Sequence, residues 1–497
     1  MIQIQTLPKL ASSSVRNHAV TLIPGDGIGP EVVSAACRVI NAAGVTIDWQ
    51  HAEAGKKVFE KGIASGVPRE TIDSLQSTGI ALKGPLETPV GHGGKSANVT
   101  LRKFFEAFAN IRPVRELPGV ITPFSGRGID LVVVRENVED LYAGIEHDQT
   151  PDVSQCLKLI STKGCEKIAR FGFELARSEQ RRSIHVATKA NIMKLTEGRF
   201  KSVFESVAKD YPVIEAHHLL IDNCAHQLVI KPEQFDVIVT TNMNGDILSD
   251  LTSGLVGGLG IAPSANLGHE SAFFEAVHGS APDIAGQDKA NPIALILSGV
   301  MMLRHLGEFE AAENIENALL VTLESGAGMP VDIAHGDVTP LGTSAFTELV
   351  IENLGDEPQC RFERSYAPLK MPKRSAAVAV SSPVERKVVG VDVFIEFVGE
   401  APVLGEILEE AAAHSLFSLK MISNRGTQVY PHTGTSPDCV DHWRCRFIVE
   451  IPNSDIRGTA ISELLAKIEG NGLRWMHLEK LNQFDGEDVF SKAQGEN

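Results

Sequence analysis

The strongest constraint on this chain's fold is an alternation that runs for most of its length and then stops. From about Asn17 to Leu354, short apolar runs alternate with helical patterns, as in His18–Ile23 followed by Pro30–Ala43, or Phe235–Thr240 followed by Asp246–Leu259. That alternation predicts an α/β architecture. Across 355–387 it gives way to Asp-Glu-Pro, Pro-Leu-Lys-Met-Pro-Lys-Arg and Ser-Ser-Pro, a stretch without sustained period that reads as a linker. Beyond it, strands are predicted at Val388–Phe397, Phe417–Ile422, Cys445–Ile451 and Leu473–Leu478, with helices at Val403–Ala413 and Thr459–Ile468. The order β-α-β-β-α-β predicts an α+β, ferredoxin-like domain over 388–497.

Composition removes whole classes of function. The longest apolar stretch, Pro292 to Leu303, is interrupted by Ser298 and Gly299. It falls short of the ~18 residues a membrane span needs, so it predicts a buried core helix and no membrane partner. With 46 basic against 63 acidic residues, the formal net charge is −17, which repels nucleic acid and anionic lipid; an anionic ligand must be held by a local basic cluster. Seven cysteines, odd in number and without paired spacing, argue against a disulfide framework and for a reducing compartment. Residues 1–18 lack a signal core and an Arg-rich amphipathic pattern, although Ser12–Ser14 with Arg16 leaves organelle targeting open; the expected location is cytoplasmic.

Two glycine-rich loops resemble nucleotide-binding fingerprints and miss on spacing. In Gly25-Asp-Gly27-Ile-Gly29 the glycines fall two and two apart, where the dinucleotide fingerprint needs two and three. Pro89-Val-Gly91-His-Gly93-Gly94-Lys95-Ser96 ends like a P-loop but carries proline where the first glycine belongs; a P-loop-like nucleotide hydrolase is the alternative from another class.

Three constellations carry chemistry. Arg102, Arg112 and Arg135 each stand beside an apolar run; they are either a solvated face or guanidinium forks converging on carboxylates in two-point geometry. In Asn242-Met-Asn-Gly245-Asp246-Ile-Leu-Ser-Asp250, preceded by Ile221-Asp222, a turn is expected at Asn244-Gly245, with both later aspartates on one face of the helix it opens. Those carboxylates either hold a hard divalent cation or complement a helix N-terminus. Glu275-Ala-Val-His278-Gly279-Ser-Ala281-Pro282-Asp283-Ile284, followed by Asn291-Pro292, is a loop that could wrap a flat ring or simply connect elements. Cys439-x-x-His442-x-x-Cys445 reads as strand-entry residues or, less well, as zinc ligands.

Taken in order along 18–354, these motifs resemble the β-decarboxylating dehydrogenases of the isocitrate/isopropylmalate family. The resemblance implies an isopropylmalate dehydrogenase-like fold of two α/β domains flanking a cleft, not a standard Rossmann domain. It implies a catalytic body over 1–354, with a large domain of roughly 1–114 and 240–354 and a small, dimerising domain of roughly 115–239. Ser96, Asn98 and Arg102 fill the family's Ser-x-Asn-x-x-x-Arg segment; isopropylmalate enzymes are apolar at the first two positions, so polar residues imply isocitrate as substrate. The implied reaction is oxidative decarboxylation of isocitrate to 2-oxoglutarate in the tricarboxylic acid cycle, with homoisocitrate or 3-isopropylmalate as alternatives.

The resemblance also distributes roles. Arg102, Arg112 and Arg135 would clamp substrate carboxylates. Asp246 and Asp250, with Asp222 from the partner of a homodimer whose sites are shared, would bind Mg²⁺ or Mn²⁺. Lys189 and Asp222 would handle the hydroxyl proton, and Tyr142 would protonate the enolate. Thr88, His278, Gly279, Ala281, Pro282, Asp283, Ile284 and Asn291 would line the dinucleotide site, with Glu87 departing from the Thr-Thr pair of many relatives. Asp283-Ile284 stands where NADP-specific relatives commonly carry Lys-Tyr, and Thr343–Glu348 offers no basic residue, so NAD is expected, with NADP as the alternative. The 388–497 segment resembles the tail of a subset of bacterial members through Lys420–Pro431 and Arg474–Lys480, with either oligomer stabilisation or ligand control as its role.

Overall fold

A computed structural model describes residues 17–87, 96–359, 366–373, 384–432, 434, 437–449 and 456–496. The chain forms two compact units, one drawn from 1–142 with 160–374 and the other from 143–159 with 375–497.

The first unit is built on one ten-stranded sheet. Its strands are β1 (His18–Ile23), β2 (Ile47–His51), β3 (Ile80–Lys83), β4 (Ala109–Arg115), β5 (Asp130–Glu136), β6 (Ser183–Thr188), β7 (Glu215–Leu220), β8 (Val237–Thr240), β9 (Pro263–Leu267) and β10 (Ala272–Ala276). They lie in the order β2-β1-β3-β10-β9-β4-β5-β8-β6-β7. Runs such as Leu131-Val-Val-Val134 and Val237-Ile-Val239 are buried, as expected of parallel strands covered on both faces. Both flanks of the sheet are parallel, whereas its centre, β10-β9-β4-β5, is antiparallel. An antiparallel centre departs from the doubly wound parallel sheet of a standard dinucleotide-binding domain.

That centre positions the site. Cross-strand partners share a face, and the pairs Asn110 with Arg135, Asn110 with Asn266 and Ser264 with Glu275 put a polar row on one side. Ile111, Val134, Ala265 and Phe274 pair on the other side and are apolar and buried. The helices that matter below are α1 (Gly29–Ala42), α2 (Ala97–Phe104), α3 (Thr162–Ser178), α4 (Ile221–Ile230), α5 (Asn242–Val256), α6 (Ile293–Leu306) and α7 (Phe309–Ser325). The apolar stretch at 292–303 forms α6, buried at nine positions and ended by the left-handed Gly307.

The second unit holds a six-stranded antiparallel sheet of β11 (Arg386–Glu396), β12 (Phe417–Asn424), β13 (Thr427–Tyr430), β14 (His442–Val449), β15 (Arg474–Phe484) and β16 (Glu487–Asp488), in the order β13-β12-β14-β11-β15-β16. Helices α8 (Ala401–Ala412) and α9 (Gly458–Gly470) supply Leu404, Leu408, Leu464 and Ile468 to its core. Its four long strands with these helices have the expected ferredoxin-like order. Residues 143–159, which contain the hairpin Glu146–Asp148 with Ser154–Cys156, belong to this unit through Thr150 to Asp441 (2.8 Å) and Gln149 to His477 (2.9 Å). Cys445 is a fully buried strand residue, and no trio of metal-binding side chains is gathered among the described residues, so the zinc reading of Cys439, His442 and Cys445 has no support.

Candidate active site

The glycine loop at 25–29 is shaped by close backbone approach. A Cβ on Gly25 would lie 2.3 Å from the Pro85 carbonyl oxygen, and one on Gly27 would lie 1.9 Å from that of Ser280, both at positive φ. The Ile28 amide donates to the Ser280 carbonyl at 2.8 Å, which ties the start of α1 to the loop after β10. Glu87 completes the tie: its backbone amide donates to Asp26, its side chain accepts from Ser280 (3.0 Å), and it pairs with Lys56 (3.2 Å). Thr88, and the P-loop-like residues 89–95, lie outside the described residues.

The polar row on β4, β5, β9 and β10 is a buried network. Asn110 and Asn137 each donate from the side chain to Asn266 Oδ1 at 3.0 Å, and Asn266 Nδ2 donates to Glu275 at 2.7 Å. Glu275 also pairs with Lys83 and, at 3.1 Å, with Arg102. Burial alone would raise the Glu275 pKa, yet Lys83 and Arg102 hold its carboxylate far below the usual range. Arg102 lies on α2 one turn after Asn98, and Ser96 precedes that helix at its N-cap. Asn98 Oδ1 and Arg102 Nε are buried without a partner.

Arg112 and Arg135 reach from the same face toward α5. Arg135 is buried, its guanidinium donating twice to Asn242 Oδ1 (3.0 and 2.8 Å) and pairing with Asp246. Arg112 donates to Ser249 and contacts Asp250 (3.3 Å) and Asp246 (3.4 Å), while its Nε is buried and unpartnered. Burial, then the neighbouring arginines, lower both guanidinium pKa values, Arg135 to about 10. Tyr142, on the 3-10 turn Leu141–Ala143, donates to Asp246 Oδ2 at 2.6 Å with Arg135 4.9 Å over its ring. Burial and the Asp246 bond push its phenol pKa upward. Arg102, Arg112, Arg135, Tyr142, Asp246 and Asp250 thus form one cluster.

Asn244-Gly245, expected to form a turn, is helical instead. α5 begins at Asn242, so both residues lie in its first turns. Glycine is required there because a Cβ would sit 2.6 Å from Arg135 Cγ. Glu275, Lys83, Asn266 and Gly245 were not singled out as site residues from sequence. The visible signal was a charged side chain inside an apolar strand run, in Ile80-Ala-Leu-Lys83 and Phe273-Phe-Glu275.

Lys189 and Asp222 form a separate pair at 2.7 Å, with the aspartate 63% exposed. Within one chain, Asp222 is not gathered with Asp246 and Asp250. The carboxylates of Asp246 and Asp250, spaced one helical turn apart, are hard-oxygen donors of the kind that suit a divalent cation. In the loop after β10, His278 Nδ1 contacts the Gly279 carbonyl at 2.9 Å, and its Nε2 is buried without a partner. Ala281 is held at φ 37° before the 3-10 turn Pro282–Ile284, and Asn291 donates to Asp332 while its oxygen accepts from the first residue of α6.

A sheet with this antiparallel centre and an arginine cluster facing helix-borne aspartates define a class of oxidoreductase. The isocitrate/isopropylmalate dehydrogenase family matches residues 19–350, and the chain belongs to that family. A second match, to the C-terminal domain of bacterial isocitrate dehydrogenase, covers residues 386–496. "Isocitrate dehydrogenase [NADP]" of Thermus thermophilus is 60% identical over 496 residues, covering 100% of this chain and 99% of that protein. The same-named protein of Rickettsia bellii is 40% identical over 483 residues, covering 96% of this chain and 99% of its own. A solved structure of a Thermus thermophilus protein superposes with a TM-score of 0.93 at 60% identity, covering 96% of both chains. No helix of the described residues is long and apolar enough to cross a membrane.

Proposed function

We propose that this chain oxidises isocitrate to 2-oxoglutarate and CO₂, with NADP as acceptor and Mg²⁺ or Mn²⁺ as metal, in the tricarboxylic acid cycle. The carrying observation is the arginine cluster. Arg102, Arg112 and Arg135 lie within electrostatic range of one another, and polar atoms of Asn98, Arg102 and Arg112 are buried and unpaired. Buried polar atoms without partners are costly unless a ligand pairs them, and a tricarboxylate supplies oxygens of the right charge.

When bound, the cation would be held by Asp246, Asp250 and the partner's Asp222, and would polarise the substrate hydroxyl while the dinucleotide accepts the hydride. Lys189, held by Asp222, takes the hydroxyl proton. Arg112 and Arg135 orient the substrate carboxylates, and Glu275 positions Arg102 for a third. Tyr142 delivers a proton to the carbon that loses CO₂. A homodimer with shared sites is supported by the separation of Asp222 from Asp246, and by exposed Val229, Ile230, Met243 and Ile247 on the two helices concerned. The free thiols Cys37, Cys165, Cys224, Cys439 and Cys445 suit the cytoplasmic setting.

NADP replaces the NAD expected from Asp283 and Ile284. Two full-length relatives carry NADP in their names. Asp283 is exposed on its turn, and its carbonyl accepts from Gln287, whose side-chain oxygen in turn accepts from Lys289 Nζ at 3.0 Å. Lys289 is a cation beside that turn which the NAD reading did not count, and it can pair with a 2′-phosphate. Initial rates with isocitrate, homoisocitrate and 3-isopropylmalate, each with NADP and NAD, test the reading. Isocitrate with NADP is expected to give the highest kcat/KM; NAD preference would restore the role of Asp283, and preference for another diacid would overturn the substrate.

A further inference from the structure

The strands that carry the site's polar row enclose something different behind them. On their reverse face, between α3 and α6, lies a cavity of about 340 Å³. Ile111 of β4, Leu267 of β9 and Phe274 of β10 form its floor, with Leu175 of α3 and Val300 of α6 on its walls. Tyr366–Leu369 of the linker also line it. The Tyr366 ring covers the Arg304 guanidinium at 3.5 Å, and the Ala367 amide donates to the Ser178 carbonyl at 3.2 Å. One short segment therefore spans from the end of α6 to the end of α3.

Protein interiors keep few voids larger than a water molecule, and apolar walls without opposing atoms forfeit their dispersion contacts. An apolar cavity of ~150 Å³ stays dry and accepts a benzene-sized guest, and this one reaches the size of small-molecule sites. The charged groups at its edge are already satisfied: Glu316 bridges Arg115 and Arg304, and Arg181 pairs with Asp130, Glu179 and Asp236. An ionic guest would lose its hydration and find no unpaired counter-charge there.

We propose that this cavity is a second ligand site, closed by Tyr366–Leu369, which takes an uncharged, largely apolar molecule of at least bicyclic aromatic size. Ile111 on its floor adjoins Arg112 on the same strand, so occupation shifts the strand that presents Arg112 and is read in the KM for the acidic substrate. That readout rests on the proposed role of Arg112; binding itself does not.

The test is a fluorescence titration of the full-length protein with prodan, an uncharged naphthalene whose emission shifts to the blue in apolar surroundings. One saturable site per chain is expected, weakened at least tenfold by Val300→Trp, which fills the cavity. If that variant fails to fold by circular dichroism, Leu297→Phe, on another part of the α6 wall, serves instead. Absence of saturable binding up to probe solubility, or binding unchanged by the filling variant, overturns the site. Saturating prodan is expected to change the isocitrate KM at least twofold in wild type and not in the filled variant. Binding with no change in KM overturns the coupling alone, and failure to turn over isocitrate at all would fall on the proposed function and leave the titration standing.

Discussion

Tyr142 and Asp246 meet at 2.6 Å, phenol donating to carboxylate, although they lie 104 residues apart in the chain. The bond fixes the phenolic oxygen beside the carboxylate proposed to hold the metal. Tyr142→Phe removes the proton donor but leaves the ring beneath Arg135. It is expected to lower kcat by ~10²- to 10⁴-fold, the usual contribution of a positioned acid or base. An unchanged kcat would remove Tyr142 from the mechanism.

Because Asp222 sits apart from Asp246 in one chain, the two variants Tyr142→Phe and Asp222→Asn should complement each other. Each is expected to be nearly inactive alone. Co-expressed, mixed dimers place one intact set of groups at one site and should recover a substantial fraction of wild-type rate. No recovery in isolated mixed dimers would mean that each chain completes its own site.

Gly245→Ala places a methyl group against the Arg135 stem, 2.6 Å from Cγ. Overpacking of this kind costs about 1–3 kcal/mol. The measurable expectation is a lowered melting temperature together with a raised KM for isocitrate, as Arg135 is pushed off Asn242. A stability loss with KM unchanged would show that Arg135 does not touch substrate.

Lys289→Ala is expected to reduce kcat/KM with NADP about tenfold, or ~1.4 kcal/mol, and to leave kcat/KM with NAD nearly unaltered. Equal losses with both dinucleotides would assign Lys289 to loop structure and not to the 2′-phosphate.

Glu136, at the end of β5, gives a stability prediction with a definite sign. Burial raises its pKa from 4.5 to about 7, partly offset by the amides of Val138 and Glu139. Between those values the folded chain retains a proton that the unfolded chain releases, so this group's contribution falls as pH rises from about 4.5 to 7 and is flat above. Ionisation at the high end costs roughly 3 kcal/mol. Glu136→Gln should therefore gain stability relative to wild type as pH rises across that window, measured by urea denaturation. A pH-independent difference would show that Glu136 titrates alike in the folded and unfolded chain.

Much of this molecule was legible in its sequence because local pattern and burial agreed. The apolar run at 292–303 became α6, and the strand-helix order after 387 became the second unit's sheet, since period and turn residues are local properties. Arg102, Arg112 and Arg135 were found because a charge beside an apolar run must be buried with a partner or exposed. Their partners were less visible. Glu275 reads from sequence as the start of a turn-rich loop, Lys83 belongs to no motif, and Gly245 reads as a turn residue because Asn-Gly pairs usually are. The NAD expectation rests on Asp283, Ile284 and the lack of a basic residue in Thr343–Glu348, and leaves out Lys289, six residues on from Asp283, which hydrogen bonds through Gln287 bring back beside it.

By itself the sequence determined that the chain has an α/β body and an appended α+β domain, offered candidate carboxylates and guanidiniums, and required a local basic cluster for any anionic ligand. Tertiary structure decided which of them meet. The antiparallel centre of the sheet sets Asn110 beside both Arg135 and Asn266, the latter 156 residues away, and so assembles one polar face from distant segments. The same pairing turns the alternate residues to an apolar cavity behind. Strand register converts a one-residue step along the chain into opposite sides of a sheet, and no local pattern records which strands will pair.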